Sequence, residues 1–564
     1  VLSRLTGLEN EYAIRFRPTK DFPRPGNEEI YHALAEAISA CTSTAPSTRR
    51  DGQHRIFCAN GGSVCYEHKP THPAAGLIEC ATPECRGPSQ LLIYQRAQED
   101  LLLRAIPLAE DHLGRSGYPG ELSLLRNARD ADGQIYGPQE NYEVTVPTGI
   151  QGLLFRGIAA ICIAWLPIAA VLMLTVLIAT LAASLLFHLV KGLGRLARFP
   201  NRGGAPTPMD DPMQSHPWQA RLARLDFAVQ SIILAPAQLP LHFALKHIVF
   251  RRFRFLMSGF LCSRSILSGT GTLDGYFNFQ LSEKALGISR VDRAAFTMSG
   301  HSVFDHGHLL KCVILPLLGE LELLSLLFKP TIRLQLGLSD ANRLDVAEYL
   351  KLGSTLLVID MIEAGFIDDA PQVSSCIDAL HAISADPELE IAVYMQNGDY
   401  WTGLDLQRWY LDKAKAFVRQ SSVVQLEAET VVKLWHESLD ALNHRPESLI
   451  GQLDWVTKLH LINEAGGNLT LGSKKKIDLK YHELGTGYAS TLEQNKLVVR
   501  LADPKALEHA SDRPPGGTPA WHRGQLIRQL AGRSDTSISW LSVRLKRGSK
   551  KQVISLRESK DVAD

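Results

Sequence analysis

Acidic side chains at strand spacing are the residues of this sequence best able to do chemistry. Glu9 and Glu11 lie two positions apart, Glu67, Glu79 and Glu84 fall in one short stretch, and Glu140 follows. Residues two apart in a strand share a face, so Glu9 and Glu11 point to one side of the sheet that holds them. Oxygen-only ligands spread over sheet positions suit Mg²⁺ bridging a nucleotide's phosphates, because a hard ion takes carboxylates and keeps water and phosphate in its shell. Taken singly, each Glu also reads as a solvated strand-face residue. His301, His306 and His308 crowd one segment that reads as a metal or phosphate contact or as a surface loop. No Walker A sequence occurs, Ser268-Gly269-Thr270-Gly271 is too generic for a phosphate loop, and there is no G-x-S-x-G nucleophile motif.

The elements that must position these groups follow from hydrophobic periodicity. Residues 5–16 read as an interrupted strand, 28–41 as an amphipathic helix, and 63–67 as a strand after the turn at Asn60-Gly61-Gly62. Residues 89–113 read as a helix, and 122–127 and 142–146 as strands around a polar loop, 130–141. Further on, 310–327 and 346–364 read as apolar helices, 334–338 as a strand, and 404–418 and 430–442 as amphipathic helices. A polar hinge, 466–476, precedes a tail of short mixed elements. The pattern predicts an α+β fold with a helical second half and a small C-terminal domain.

Lys plus Arg (60) nearly cancel Asp plus Glu (59), so no global basic field points to nucleic acid. The nine cysteines are odd in number and scattered, which suits a reducing compartment; Cys58, Cys65, Cys80 and Cys85 with His72 could bind zinc but read better as buried thiols. The first residues lack a basic start followed by an apolar run and so do not read as a secretory signal. The anomaly is internal: residues 157–190 contain no Asp, Glu, Lys or Arg and read as membrane-embedded. Since the chain leaves and rejoins one site across this insert, an odd number of crossings is excluded. A second crossing at 227–245 would put Lys191, Arg195, Arg198, Arg202, Arg221 and Arg224 on the far side, against the positive-inside rule. The reading preferred here folds 157–190 into a re-entrant or tight hairpin, with 227–245 in the interface and the basic residues cytoplasmic.

Several blocks of this sequence resemble the Pup ligase and Pup deamidase family of the carboxylate-amine ligase superfamily, related to glutamine synthetase. Gly7-Leu8-Glu9-Asn10-Glu11-Tyr12-Ala13 is similar to its opening G-[IT]-E-x-E-[YF]-G. The next blocks are Asn60 to Glu67, then His72-Pro73 and Glu79-Cys80-Ala81-Thr82-Pro83-Glu84-Cys85. Tyr136-Gly137-Pro138-Gln139-Glu140-Asn141-Tyr142 resembles S-Y-G-x-H-E-N-Y. Beyond the insert the resemblance resumes at Gly259 to Arg264, Phe279 to Ser282, Arg333-Leu334-Gln335, His381 to Ser384, Leu453-Asp454-Trp455 and Arg523-Gly524.

The resemblance implies a glutamine synthetase-like antiparallel sheet packed with helices. Residues 1–150 and 255–470 would form the catalytic domain, 151–254 a membrane-associated insert and 471–564 the small C-terminal domain. It implies ATP or ADP and Mg²⁺ as cofactors. The implied partners are a small ubiquitin-like tag and tagged proteins, in a system linked to the proteasome; the apolar insert, outside the resemblance, adds membrane lipid met through residues 157–250. By position, Glu9, Glu84 and Glu140 would hold the metal. Glu9, Glu11, Tyr66, Glu84, Glu140, Arg264 and Arg333 would bind the nucleotide or the tag's carboxylate, and Glu67 falls where the family keeps its catalytic Asp. Histidines of the family are Gln139 and Gln335 here. The helices from Tyr349 onward and Pro83 look more like the deamidase and depupylase branch, towards which the reading leans, although Gly7 to Asn60 has the shorter spacing typical of the ligase. The alternatives are a ligase, joining the tag's terminal Glu to lysines through an acyl phosphate, and a catalytically impaired relative that binds the tag.

Overall fold

Alternation of buried and half-buried residues along Leu5–Pro18 builds β1, the long strand at the centre of the fold. The computed structural model describes residues 1–47, 54–68, 76–130, 133–196, 217–293, 301–420, 425–466, 470–533, 535–547 and 550–556; His72, Pro73 and the basic, Pro/Gly-rich stretch 197–216 lie outside them. Around β1 gather β2 (Thr44–Pro46), β3 (Ile56–Cys58), β4 (Ser63–Glu67), β5 (Leu77–Ala81), β6 (Cys85–Arg86), β7 (Gly120–Leu125) and β8 (Gln139–Thr145). A short ribbon, β9 (Thr272–Leu273) with β10 (Phe279–Gln280), precedes β11 (Ile288–Asp292), β12 (His301–Phe304) and β13 (Thr331–Leu336).

The main sheet has the order β11-β12-β13-β8-β1-β5-β4-β3-β2, with β6 and β7 also paired to β1. Every pair is antiparallel except β11 with β12. One face is packed by helices α1 (Asn27–Cys41) and α2 (Gly87–Arg115), which cover Tyr12, Val64, Tyr66, Ile78 and Cys80. Behind it, Glu99 of α2 accepts from Arg126 (2.9 Å) and Arg343 (2.7 Å) and pairs with Arg96 (3.1 Å), all buried. Burial opposes the charged carboxyl, but Arg343, Arg126 and Arg96 outweigh it and hold Glu99 down to about 2.

Helix α3 (Gly149–Leu196) runs unbroken through Pro167 and packs along α4 (Pro217–Ala244). The re-entrant fold expected for 157–190 is therefore replaced by a hairpin of two helices, pinned where Trp165 Nε1 donates to the Ile233 carbonyl (2.8 Å). At 1.5 Å per residue the 48 residues of α3 extend about 72 Å. Its first part, Phe155, Ala159, Cys162 and Leu166, is buried with Ala237, Leu241 and Ala244 against the core, whereas Val171, Leu174, Leu177, Ile178, Leu181 and Leu185 are exposed.

Two further expectations are corrected. Residues 310–327 are short helical turns, because Pro316 and left-handed Gly319 (φ 95°) interrupt them. Part of the expected hinge is the helix Leu471–Tyr481, whose Asp478 is buried against Lys458 and Thr272. A three-stranded sheet, Thr536–Ile538 with Ser542–Arg547 and Lys550–Ser555, closes the chain and packs Ile538 and Val543 on Ala45 and Phe57 of β2 and β3.

Candidate active site

Register decides which acidic residues meet. Partners directly opposite in a ladder share a face. Glu9 lies opposite Gln139 on one side and Ala81 on the other, and Ala81 opposite Ser63, itself opposite Phe57. In the next row Glu11 lies opposite Glu79, and Glu79 opposite Cys65. Glu67, two residues beyond Cys65, points the same way. Glu9, Glu11, Glu67 and Glu79 thus stud the face that α1 and α2 leave free, joined by Asn141, Arg333 and Gln335 of β8 and β13.

Guanidinium groups answer this row. Arg333 lies 3.3 Å from Glu9, and Arg55 donates to Glu79 (3.1 Å) and to Ser63 Oγ (2.8 Å). Glu84, just after β5, is clamped by Arg523. Lys284, buried behind the row, donates to the Tyr136 carbonyl (2.8 Å), while the Gly137 N–H donates to Glu11 (2.9 Å). Burial lowers the Lys284 ammonium's pKa, against the pull of Glu11, Asp340 and Glu67. Alternating carboxylates and guanidiniums suit a metal-phosphate pair, since the cation can take the carboxylates while the phosphates take the arginines. Glu9 and Glu11 fit an Mg²⁺ ion's oxygen donors on this count.

Beside the row opens a small groove of ≈ 50 Å³ lined by Arg55, Phe57, Glu322, Ser539, Trp540 and Arg544. Its floor is aromatic: Phe57 and Trp540 meet edge to face at 5.1 Å, and Arg523 lies 4.4 Å over the Trp540 ring. The C-terminal sheet thereby walls one end of the carboxylate face.

Three of the expected site residues lie elsewhere. Glu140 is opposite Leu8, so it faces the core, fully buried. Both its oxygens accept from Arg264 (2.8 and 2.9 Å) and one also from Tyr142 (2.6 Å), while Arg264 donates further to Thr355 and the Leu338 carbonyl. Burial opposes the Glu140 charge, yet Arg264 and then Lys351 keep its carboxyl below the usual range. Tyr66 faces the helices, 5.8 Å from Tyr31. Neither Glu140, Arg264 nor Tyr66 reaches the row of Glu9. The histidines do not converge either: His301 meets the Ile135 carbonyl (2.9 Å), His308 the Arg333 carbonyl (3.1 Å), and His306 stacks on Phe250. Among the described residues, the groups of side chains close enough to hold a metal contain no cysteine; burial pushes the Cys58 thiol up to about 12.

Arg55, Lys284, Trp540 and Arg544 were not singled out as site residues in the sequence. Lys284 lies two residues past the block Phe279 to Ser282, which was the available signal. The other three come from a strand approach and from the terminal sheet, and no local pattern joins them.

The chain matches the family described as Pup-ligase protein over residues 4–299 and 320–544. A Pup--protein ligase of Acidimicrobium ferrooxidans is 24% identical over 550 residues, 96% of this chain and 92% of the relative. A depupylase of Acidothermus cellulolyticus is 34% identical, over 37% of this chain and 43% of its own. The fold resembles the ligase PafA in complex with the prokaryotic ubiquitin-like protein Pup (TM-score 0.67, 19% identity, 100% of this chain and 90% of that one). It also resembles PafA in complex with ADP (TM-score 0.61, 19% identity, 97% and 93%). The expected leaning to the deamidase branch is not supported, because the depupylase similarity spans little over a third of the chain whereas the ligase similarity runs its length. Matched on both sides of residues 300–319 and aligned with such relatives nearly end to end, the chain belongs to the Pup ligase family.

Proposed function

We propose that this protein is a nucleotide-dependent ligase that joins the terminal Glu of a Pup-like tag to substrate lysines. The observation that carries the reading is the free sheet face on which Glu9, Glu11, Glu67 and Glu79 alternate with Arg55 and Arg333 beside the Trp540 groove. A bound Mg-nucleotide would supply the phosphoryl group that activates the tag's carboxylate. Trp540, backed by the buried Phe57, offers the base an aromatic wall, Arg55 and Arg333 offer phosphate contacts, and Glu67 stands where a carboxylate can take the proton of the attacking lysine amine. Relatives aligned over nearly the whole chain are ligases, which favours bond formation over deamidation.

A second reading, tag binding without turnover, draws on the Gln335 to Gln139 hydrogen bond on the same face, which puts two amides where the family keeps histidines. Mass spectrometry separates the readings. Protein, ATP, Mg²⁺, a tag ending in Glu and a lysine-bearing acceptor should yield a tag-acceptor conjugate lighter by one water than its parts. Conversion of a Gln-ended tag with no conjugate would restore the deamidase reading, and binding with no product would favour the second.

We further propose that the hairpin attaches this enzyme to a membrane, with the catalytic face cytoplasmic. Support comes from the exposed apolar length of α3, where Thr175 and Thr180 turn their hydroxyls back onto carbonyls of their own helix. Antiparallel packing from Trp165 and Ile233 outward sets Asp226 of α4 beside this length. A carboxylate at that position favours a hairpin lying in the interface over one crossing the hydrocarbon core.

A further inference from the structure

We propose that Glu28, His32, His54 and His68 form a zinc site that fixes the end of the strand carrying Glu67. Three chain segments converge there for topological reasons. Glu28 and His32 are one turn apart on the exposed face of α1, whose other face packs Tyr31 against Tyr66 of β4. β3 and β4 form an antiparallel pair with Ile56 opposite Val64, so the approach to β3 and the exit from β4 lie at the same edge. That edge brings His54 and His68 together over the first turn of α1. His68 follows Tyr66 by two positions and shares its face, on the helix side, 4.7 Å from the Tyr66 ring; Glu67 between them points to the carboxylate row.

The three imidazole Nε2 atoms surround one carboxylate oxygen, Glu28 Oε1, at 3.4 Å for His54 and 4.0 Å for His32 and His68. Ligand atoms of Glu28, His32 and His54 all lie within 4.8 Å of one another. In a tetrahedral zinc site with bonds of about 2.0–2.1 Å, neighbouring donors are about 3.4 Å apart. Glu28, His32 and His54 form the nucleus, where His32 must draw in by about 0.6 Å; His68, outside that group, must swing further to complete the shell. At 3.4–4.0 Å the rings stand beyond ordinary hydrogen-bond distance from the carboxylate, so hydrogen bonds to Glu28 do not account for their gathering. Three imidazoles and one carboxylate are borderline ligands that select Zn²⁺ over Mg²⁺, so this site is chemically distinct from the oxygen-only row on the other face.

The other cluster of similar composition, Glu283, Asp478 and His482, differs in kind. There the Lys458 ammonium already occupies the centre, 2.9 Å from Asp478 and 2.7 Å from His482. The Glu28 cluster has its carboxylate and three rings but no ammonium among its described contacts.

Zinc titration of the full-length protein against a chromophoric chelator tests the assignment, without reference to ligation or deamidation. One Zn²⁺ per chain should bind at 10 µM free zinc. His32→Ala and His54→Ala should each weaken binding by more than about 100-fold, since even an outer-shell change costs 10–100-fold. Both positions are exposed, so the variants should fold. Hydrogen exchange across 54–68 should slow on adding zinc to the wild type and stay unchanged in His54→Ala. No stoichiometric zinc at 10 µM, or an affinity within threefold of wild type in both variants, overturns the proposal.

Discussion

Replacing Glu140 by Gln would leave the Arg264 guanidinium, 3% exposed, without its counter-ion, though Thr355 (2.7 Å) and the Leu338 carbonyl would still accept from it. Breaking a buried pair by removing one partner costs about 3–5 kcal/mol. If roughly 350 residues unfold together with an entropy of about 2.1 cal/mol/K each, 4 kcal/mol lowers the thermal midpoint by about 5 °C. The same variant should bind nucleotide within about twofold of wild type, because no Glu140 oxygen faces the carboxylate row. Glu9→Gln should behave in the opposite way. Its pair with Arg333, whose side chain is 41% exposed, contributes little to stability, so the midpoint should move by less than about 1 °C. Nucleotide binding should weaken about tenfold, or 1.4 kcal/mol. Scanning calorimetry and nucleotide titration on both variants decide the matter. A Glu140→Gln protein of unchanged midpoint and weakened nucleotide binding would refute the division of roles argued from register.

Further outcomes follow from the same geometry. Glu67→Gln should keep nucleotide binding and lose conjugate formation in the mass-spectrometric assay; unchanged conjugation removes Glu67 from the reaction. Trp540→Ala, at the groove floor, should weaken nucleotide binding by several-fold without moving the insert, as read by calorimetric titration. Glu99 titrates in the folded state at about 2 against about 4.3 unfolded, so its stabilisation is present above about 4.3 and is lost as pH falls through about 2. Denaturation midpoints of Glu99→Gln should accordingly change less between those pH values than wild-type midpoints do. Replacing residues 171–226 by a short Gly/Ser linker should release the protein from membranes while leaving nucleotide binding intact. Recovery of the intact protein in the soluble fraction without detergent would end the membrane reading.

Much of the site was legible in the sequence where a local period carries it. Alternation along residues 5–16 put Glu9 and Glu11 on one face; along 63–67 the same period separates Glu67 from Tyr66, which the family resemblance had drawn into one site. The length and lack of charge of 157–190 marked an apolar segment, but the re-entrant or tight hairpin expected there is one long helix. What the sequence left open was register between strands. Glu140 and Gln139 are neighbours, and which of them faces the carboxylate row depends on whether Leu8 or Glu9 lies opposite, a pairing set by side-chain packing far along the chain. The fold of the insert was likewise a tertiary matter, because α4 gives α3 a partner along its side and removes the need to fold back. Arg55 and Trp540, separated by hundreds of positions, line one groove only because the terminal sheet docks on β2 and β3 through Ala45, Phe57, Ile538 and Val543. Sequence fixes what lies two or four residues apart, through backbone geometry; tertiary packing decides which distant strands and sheets share a face, because that choice is made by burial summed over the whole core.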